Sequence, residues 1–300
     1  MLLLRGKRRL ADAEICAGVI FGKDVWLNVV RRQGLTLDTR LCPAAKGEPR
    51  TGTCLFVLLE GSFEVHEPKA RFDGPCIFAM SEEHLEGARG KRPLTYETQG
   101  EPFVAIELHF REGDAVEAPA LPAALVLREA AWISAGMRLA GCVERDAADA
   151  EISNALVALL TELAREDIVR TGCASRVAEP LPFERTLRLV RPLAERFALA
   201  ATLDELLRFV PVSRRQMDRY LRSFFELFPL AGTGWRATTV HLRLKLAVLF
   251  LSAADTTVGT VAQIVGYGSV VAMARAFREA GIPAPMDIRE LFASRRSSVP

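Results

Sequence analysis

Two segments in the C-terminal third of the sequence repeat one pattern, and this repetition constrains the fold more than any other feature. Each predicts a short apolar helix, a tight turn and a second helix that begins at a serine. The first runs from Leu203 to Phe225 with Ser213 as the serine, and the second from Thr257 to Glu279 with Ser269 in that role. A long helix over residues 238–252 is predicted between them. Two helix-turn-helix units on a rigid spacer suit two neighbouring stretches of DNA major groove.

The second unit follows the helical period closely. Val258, Val261, Ala262 and Val265 are spaced so that they form one apolar stripe. Gly266 lies where the chain leaves the helix and where a positive φ is usual. The next helix then returns apolar side chains to the same core, which predicts a compact helix pair.

The first unit repeats this plan with a strongly basic outer face. We expect Met217, Leu221 and Phe224 to face inward, beneath a buried stripe on the preceding helix that includes Leu206 and Leu207. The residues left on the outer face are Arg214, Arg215, Asp218, Arg219 and Arg222. Guanidinium groups bind phosphates and guanine edges, so this face is suited to DNA.

This stretch resembles the DNA-binding domain of the AraC/XylS family of bacterial transcription regulators. The match lies at Ala262, Val265, Gly266, Tyr267 and Ser269 of the second unit. Further matching positions are Arg243, Leu244, Ala247, Arg275, Phe277, Arg278, Pro285 and Arg289. The resemblance covers about the last hundred residues, and it implies an AraC-type double helix-turn-helix domain over residues 183–300.

The resemblance implies a transcription regulator, expected to be an activator, and it assigns base reading to Arg215, Asp218 and Arg219. The residues predicted to contact DNA are Ser213, Arg214, Arg215, Asp218, Arg219 and Arg222 in the first unit and Ser269, Val270, Val271, Ala274, Arg275 and Arg278 in the second. Apolar residues on the second helix can touch thymine methyl groups but cannot form bidentate hydrogen bonds. We therefore expect the first unit to do most of the reading. Expected partners are double-stranded DNA, RNA polymerase, a small-molecule effector and a second copy of the chain.

Charge and cysteine content support a cytoplasmic nucleic-acid-binding protein. Residues 181–300 hold 17 basic and 10 acidic residues, whereas the preceding 180 hold 22 and 27. A basic C-terminal third on an acidic body suits a DNA-binding domain attached to a sensor domain. The six cysteines include no C-x-x-C pair, which favours a reducing compartment. No apolar run is long enough for a membrane span.

The N-terminal part predicts an antiparallel β domain. Short strands are expected over residues 25–30, 76–80 and 101–110, with a hairpin that turns at Gly61 and Ser62. The last strand alternates, with Val104, Ile106, Leu108 and Phe110 expected on one face and Phe103, Ala105, Glu107 and His109 on the other. Their order resembles the cupin-like sensor domain that precedes the DNA-binding domain in many AraC-family members. The predicted fold is thus α+β and multidomain: a cupin-like antiparallel barrel over residues 1–114, a helical connector over 115–182, and the all-α domain.

The barrel offers a candidate effector pocket but no catalytic constellation. The candidate pocket-lining residues are Phe56, Leu58, Phe63, Phe78 and Phe103; the alternative is that they fill the core. The four histidines form no H-x-H pair, and the acidic cluster around His84 is expected to be a solvated loop. We predict no metal, no cofactor and no catalytic residue. The alternatives are a helix-turn-helix protein that acts through protein contacts and, less favoured, a cupin-type enzyme.

The connector and the C-terminus give two further expectations. A broad apolar stripe on a helix over residues 150–167 is suited to packing either within the chain or on a second subunit. Pro285 is expected to begin a last helix, and the residues from Ser294 onward are expected to form a frayed tail.

Overall fold

The computed structural model describes residues 2–22, 25–44, 52–81, 93–111, 118–121, 123–126, 130–174, 207–208, 212–228 and 234–297. The strands are β1 (Leu2–Leu10), β2 (Ala13–Phe21), β3 (Val25–Gln33), β4 (Leu37–Asp38), β5 (Gly52–Val65), β6 (Ala70–Asp73), β7 (Cys76–Ser81), β8 (Tyr96–Arg111) and β9 (Leu125–Val126). The helices are α1 (Ala131–Glu144), α2 (Asp149–Arg165), α3 (Arg214–Leu227), α4 (Trp235–Leu251), α5 (Val258–Ile264), α6 (Val270–Glu279) and α7 (Pro285–Ser297). An antiparallel β domain is therefore followed by helices, which confirms the predicted fold class.

Within the described residues, the nine strands form one antiparallel sheet. Its order is β1-β2-β3-β8-β5-β7-β9, with β4 added on β8 and β6 on β5. The predicted alternation on β8 is confirmed. Val104, Ile106 and Leu108 face a core shared with α1 and α2, whereas Phe103 and Ala105 face an aromatic core on the other side.

The hairpin predicted at Gly61 is wrong, because β5 continues through it from Gly52 to Val65. Its pairing with β8 shifts register on either side of Glu60, and Gly61 has a φ of 93°. A Cβ on Gly61 would lie 2.7 Å from the carbonyl oxygen of Gln99. The glycine therefore marks a β-bulge rather than a turn.

The apolar stripe on α2 is used within the chain. Ile152, Leu156, Leu159 and Leu163 are each 0% exposed and pack in the same core as α1 and the sheet. Helix α1 contributes Trp132 to this core, also fully buried. The stripe is therefore not available to a second subunit, and a homodimer would need another surface.

The last helix corrects the expectation of a frayed tail, since α7 extends to Ser297. Arg295 lies in ion-pair distance of Asp38 and Glu97, and Arg296 donates a hydrogen bond to the carbonyl oxygen of Ser252. Arg295, which looks solvated in the sequence, thus joins α7 to the β domain, and Arg296 joins α7 to the end of α4. The predicted domain boundaries at residues 114 and 182 fall in stretches outside the description and remain predictions.

Candidate nucleic-acid interface

The second helix-turn-helix unit consists of α5, a tight turn and α6. Val258, Val261, Ala262 and Val265 are all buried, as their spacing predicts. The turn is closed by the Tyr267 N–H, which donates to the carbonyl oxygen of Ala262 at 2.8 Å. Gly266 has a φ of 80°. A positive φ at this position and a hydrogen bond spanning five residues characterise the Schellman ending of a helix.

Arg243 of the spacer helix α4 holds this turn in place. Its Nε donates to the carbonyl oxygen of Val265 at 2.9 Å, and its Nη2 donates to that of Gly266 at 2.5 Å. Its guanidinium also lies 4.1 Å from the centre of the Tyr267 ring. The sequence indicates no role for Arg243 beyond a family match, because the residues next to it do not reveal which distant carbonyl groups its side chain reaches.

The outer face of α6 is apolar at its start and basic at its end. Val271 is 78% exposed and Val270 is 41% exposed, while Ala274 is half-buried. Arg275 and Arg278 are exposed, and Arg275 lies 3.8 Å from the carboxylate of Glu279. All five predicted contact residues of this helix are therefore accessible, with Ala274 the least so.

Both recognition helices begin at the predicted serine caps. The Ser213 hydroxyl accepts a hydrogen bond from the Gln216 N–H at 3.3 Å, and the Ser269 hydroxyl accepts one from the Ala272 N–H at 3.1 Å. These bonds fix where each helix starts and therefore which side chains occupy its first turn.

We expect Ser269→Ala to lower the free energy of unfolding by about 1 kcal/mol, the usual cost of losing a helix N-cap. Urea unfolding measures the change, with Ser297→Ala, near the exposed end of α7, as control. Equal stability of the Ser269→Ala variant and the wild type would show that the cap contributes nothing.

Helix α3 presents the basic face that the sequence predicts. Met217, Leu221 and Phe224 are buried, as expected. The residues on the exposed side are Arg214, Arg215, Asp218, Arg219 and Arg222. Leu207 is half-buried rather than fully buried, and Leu203, Leu206 and most of the preceding helix lie outside the described residues.

The five candidate pocket residues of the β domain pack against one another. Phe56, Leu58, Phe63, Phe78 and Phe103 are at most 3% exposed. The rings of Phe56 and Phe63 lie 4.9 Å apart, and those of Phe56 and Phe78 lie 5.0 Å apart. Such close packing is what the core-filling alternative expects.

Beside this core lies a buried arginine that sequence analysis missed. Arg32 is 3% exposed, and its guanidinium lies 4.0 Å from the centre of the Phe103 ring. Its Nη2 donates to the carbonyl oxygen and the hydroxyl of Thr98, but its buried Nε has no hydrogen-bond partner. Burial lowers the pKa of Arg32 to about 9, because the nearby groups that favour the charged guanidinium do not offset the cost of removing it from water.

Half-buried polar groups surround Arg32 where β3 and β8 approach α4. Burial raises the pKa of Glu107, but the hydrogen bond with His109 and the charge of Lys245 outweigh it and hold that pKa below its ordinary value. Burial also raises the pKa of Tyr96. Electrostatic interactions thus relate Arg32, Tyr96 and Glu107 of the β domain to Lys245 of the spacer helix, and we call these four residues the Arg32 cluster.

One cluster has the composition of a metal site. Ligand atoms of Asp38, His66 and Glu97 lie within 4.8 Å of one another. Both carboxylates, however, are already paired with guanidinium groups. Arg40 lies 2.7 Å from Asp38, and Arg295 lies 3.0 Å from Asp38 and 3.0 Å from Glu97. These contacts make the cluster an ion-pair network between the β domain and α7. The acidic cluster around His84 lies outside the described residues.

Comparison with known proteins gives structural matches only. No protein-family model and no curated protein matches the sequence. A structure of ToxT from Vibrio cholerae matches with 9% sequence identity and a TM-score of 0.34. The match covers 89% of this chain and 98% of the ToxT chain. The chain is similar to AraC-like regulators. The AraC-like transcriptional activator CuxR matches with 10% sequence identity and a TM-score of 0.29, and the match covers 79% of this chain and 91% of the CuxR chain.

A third match concerns the β domain. A cupin protein from Ralstonia eutropha matches with 11% sequence identity and a TM-score of 0.20, and the match covers 49% of this chain and 85% of the cupin chain. At such TM-scores the matches carry no argument about function, which must rest on this chain's own residues. Within the part of the chain that the structure describes, no helix combines the length and apolar character needed to cross a membrane.

Proposed function

We propose that the chain is a sequence-specific DNA-binding transcription regulator of the AraC type, with a β domain that senses a small molecule. The observation that carries this proposal is the exposed basic face of α3, which begins at a serine cap and stands on a buried apolar side. Exposed arginines on one helix face offer both phosphate contacts and bidentate contacts to guanine. The second unit, whose recognition helix also begins at a serine cap, supplies a second helix for the neighbouring groove.

The recognition helices α3 and α6 contribute differently to DNA binding. Arg215, Asp218 and Arg219 on α3 can form directional hydrogen bonds to base edges. Val271 on α6 can only contact a thymine methyl group, while Arg275 and Arg278 reach phosphates. Most of the sequence specificity therefore comes from the first unit, and the second adds affinity.

We expect Arg219→Ala to weaken binding to the specific site by about 1–3 kcal/mol, because a bidentate contact to a base is lost. Affinity is measured for a DNA site selected with the wild-type protein and for shuffled DNA, across a salt series. The control is Arg165→Ala, which removes an equally exposed arginine from α2. An equal loss on both DNAs would contradict base reading by Arg219.

The exposed valines of α6 favour one alternative, a helix-turn-helix protein that binds other proteins. Val271 is 78% exposed and its neighbour Val270 is 41% exposed, so the two side chains together present apolar surface to a partner. Wild-type protein that binds DNA weakly and without sequence preference at physiological salt would support this alternative. A preference that persists at that salt concentration would support the regulator.

The effector site that we propose is the Arg32 cluster, and the ligand class is a carboxylate with an apolar tail. A buried guanidinium with an unpartnered Nε calls for an anion, and a carboxylate matches its planar fork. The Phe103 ring lies under Arg32 and is itself buried, so the apolar tail would enter the aromatic core beside it. One solved structure of ToxT is described as unsaturated fatty acid bound, but the proposal rests on Arg32.

We expect Arg32→Met to abolish stabilisation by such ligands. Wild-type Tm should rise with monocarboxylates of increasing chain length, since a ligand that binds only the folded state stabilises it. The control is Arg31→Met, because Arg31 points to the opposite face of β3 and pairs with Glu144 at 3.2 Å. A ligand-induced rise in Tm that survives in Arg32→Met would place the site elsewhere.

A further inference from the structure

One face of strand β2 contacts helix α3 at one end and, at the other end, joins the apolar core that the second helix-turn-helix unit shares with α4 and α7. Its odd-numbered residues share that face, because side chains alternate along a strand. At one end Ala13 and Ile15 pack in the apolar cluster that contains α4, α5, α6 and α7. At the other end Phe21 packs against the recognition helix α3. The even-numbered residues Cys16 and Ile20 face the core beneath α1 and α2.

The contact of Phe21 with α3 is an aromatic cluster. The Phe21 ring lies 5.1 Å from that of Phe224 and 4.7 Å from that of Phe228, and these two rings lie 5.4 Å apart. All three side chains are at most 6% exposed. This cluster joins α3 to the β domain. A residue of the β domain therefore packs against the C-terminal end of the first recognition helix.

Polar bonds join α4 and α7, the helices on either side of the second unit, to the β domain. The Thr36 N–H donates to the hydroxyl of Ser252 at the end of α4, at 2.8 Å. Arg295 of α7 pairs with Asp38 and Glu97, each at 3.0 Å, and Arg296 of α7 donates to the Ser252 carbonyl oxygen at 2.5 Å, which joins α7 to α4. The helices that flank the second unit are therefore held to the β domain by contacts that do not involve the first unit.

The length of β2 is of the same order as the groove spacing of DNA, though shorter. Ala13 and Phe21 are eight residues apart, which in an extended strand is roughly 26 Å. Recognition helices in successive major grooves lie about 34 Å apart. One base pair of extra spacing shifts a half-site by about 3.4 Å along the duplex and rotates it by about 34°. Two helices fixed to one strand cannot follow that shift without breaking a buried contact.

We propose that β2 sets the separation and relative orientation of the two recognition helices, and that Phe21 is the positioning residue for α3. The β domain is then part of the device that measures half-site spacing, in addition to any effector that it senses. This inference rests on the proposed function, because spacing has meaning only if both helices bind DNA.

The test is a spacing profile. An operator is selected with the wild-type full-length protein, and its two half-sites are then separated by one or two added or deleted base pairs. We expect the wild type to lose affinity by roughly tenfold or more for one base pair, the size of a good base contact. Phe21→Leu keeps most of the volume but removes the ring contacts, and we expect its profile to flatten to less than about threefold. Phe228→Leu removes the same contact from the helix side and should flatten the profile in the same way.

The control is Phe110→Leu, which removes a buried ring from the face of β8 that packs under α1 and α2. It lowers stability without touching α3, so its spacing profile should stay as sharp as that of the wild type. A sharp profile in both Phe21→Leu and Phe228→Leu would overturn the inference. Wild-type protein without any sequence preference would instead overturn the proposed function, so the two failures are distinguishable.

Discussion

Replacing Asp38 with asparagine is expected to lower the free energy of unfolding by about 3 kcal/mol at pH 7, the lower end of the cost of breaking a buried ion pair. The Asp38 carboxylate has no exposed surface and pairs with Arg40 at 2.7 Å and Arg295 at 3.0 Å. Asparagine keeps the shape but removes the charge, and it leaves two guanidinium groups facing each other. Both guanidinium groups retain partial access to water, which is why the lower end applies.

The pH dependence of this effect follows from the pKa of Asp38. Burial raises that pKa, but the hydrogen bonds from Arg40 and Arg295 outweigh burial and hold it below its ordinary value. A carboxylate with a depressed pKa in the folded state stabilises the fold above its unfolded pKa of about 3.9. That stabilisation is lost as pH falls through the folded pKa. The difference between wild type and Asp38→Asn should therefore be full at neutral pH and disappear in acid.

Urea unfolding of both proteins between neutral and strongly acid pH measures this difference. The matched control is Asp73→Asn, because Asp73 pairs with Arg71 at 3.2 Å on the surface and is 70% exposed. Its effect should be within about 1 kcal/mol, the usual range for an exposed ion pair. A difference for Asp38→Asn that is equally small, or that persists unchanged in acid, would show that the network does not join the two parts of the chain.

The Asp38 network is an example of a long-range contact that the sequence alone does not predict. Arg295 looked like part of a frayed tail, because a basic residue near the end of a chain is most often solvated. Its partners Asp38 and Glu97 are 257 and 198 residues away in the sequence, and no local pattern reports such a distance. Arg32 was missed for the same reason, since its surroundings come from β8, where Thr98 is 66 residues away, and from the still more distant helix α4.

The predictions that hold are those with a local physical cause. The stripe from Val258 to Val265 and the serine caps were correct because helical period and capping involve residues within one or two turns. The alternation on β8 was correct because a strand between two cores must bury both faces. Gly61 was misread because a glycine in an apolar run signals a turn and a bulge equally well. Only the pairing of β5 with β8 distinguishes the two.

Arg243→Ala is expected to cost about 3 kcal/mol of stability, because two charge-assisted hydrogen bonds to carbonyl groups are lost. The carbonyl oxygens of Val265 and Gly266 would lose these donors at the point where the chain turns from α5 into α6. The loss of the Tyr267 contact adds to the effect. Because the turn sets the angle of α6, DNA affinity should also fall in the folded variant. Urea unfolding and DNA binding measure the two effects separately.

Two variants separate the role of Arg243 from that of an ordinary helix residue. Arg243→Lys keeps the charge but has no planar fork, so it can reach only one carbonyl and should recover less than half of the lost stability. Arg236→Ala removes an exposed arginine from the same helix and should leave stability within about 0.5 kcal/mol of the wild type. Full recovery by lysine would show that charge alone is required, and the geometry of the turn would then need another explanation. Partial recovery, with DNA binding restored in proportion, would establish the guanidinium fork as the part of the spacer helix that orients the second recognition helix.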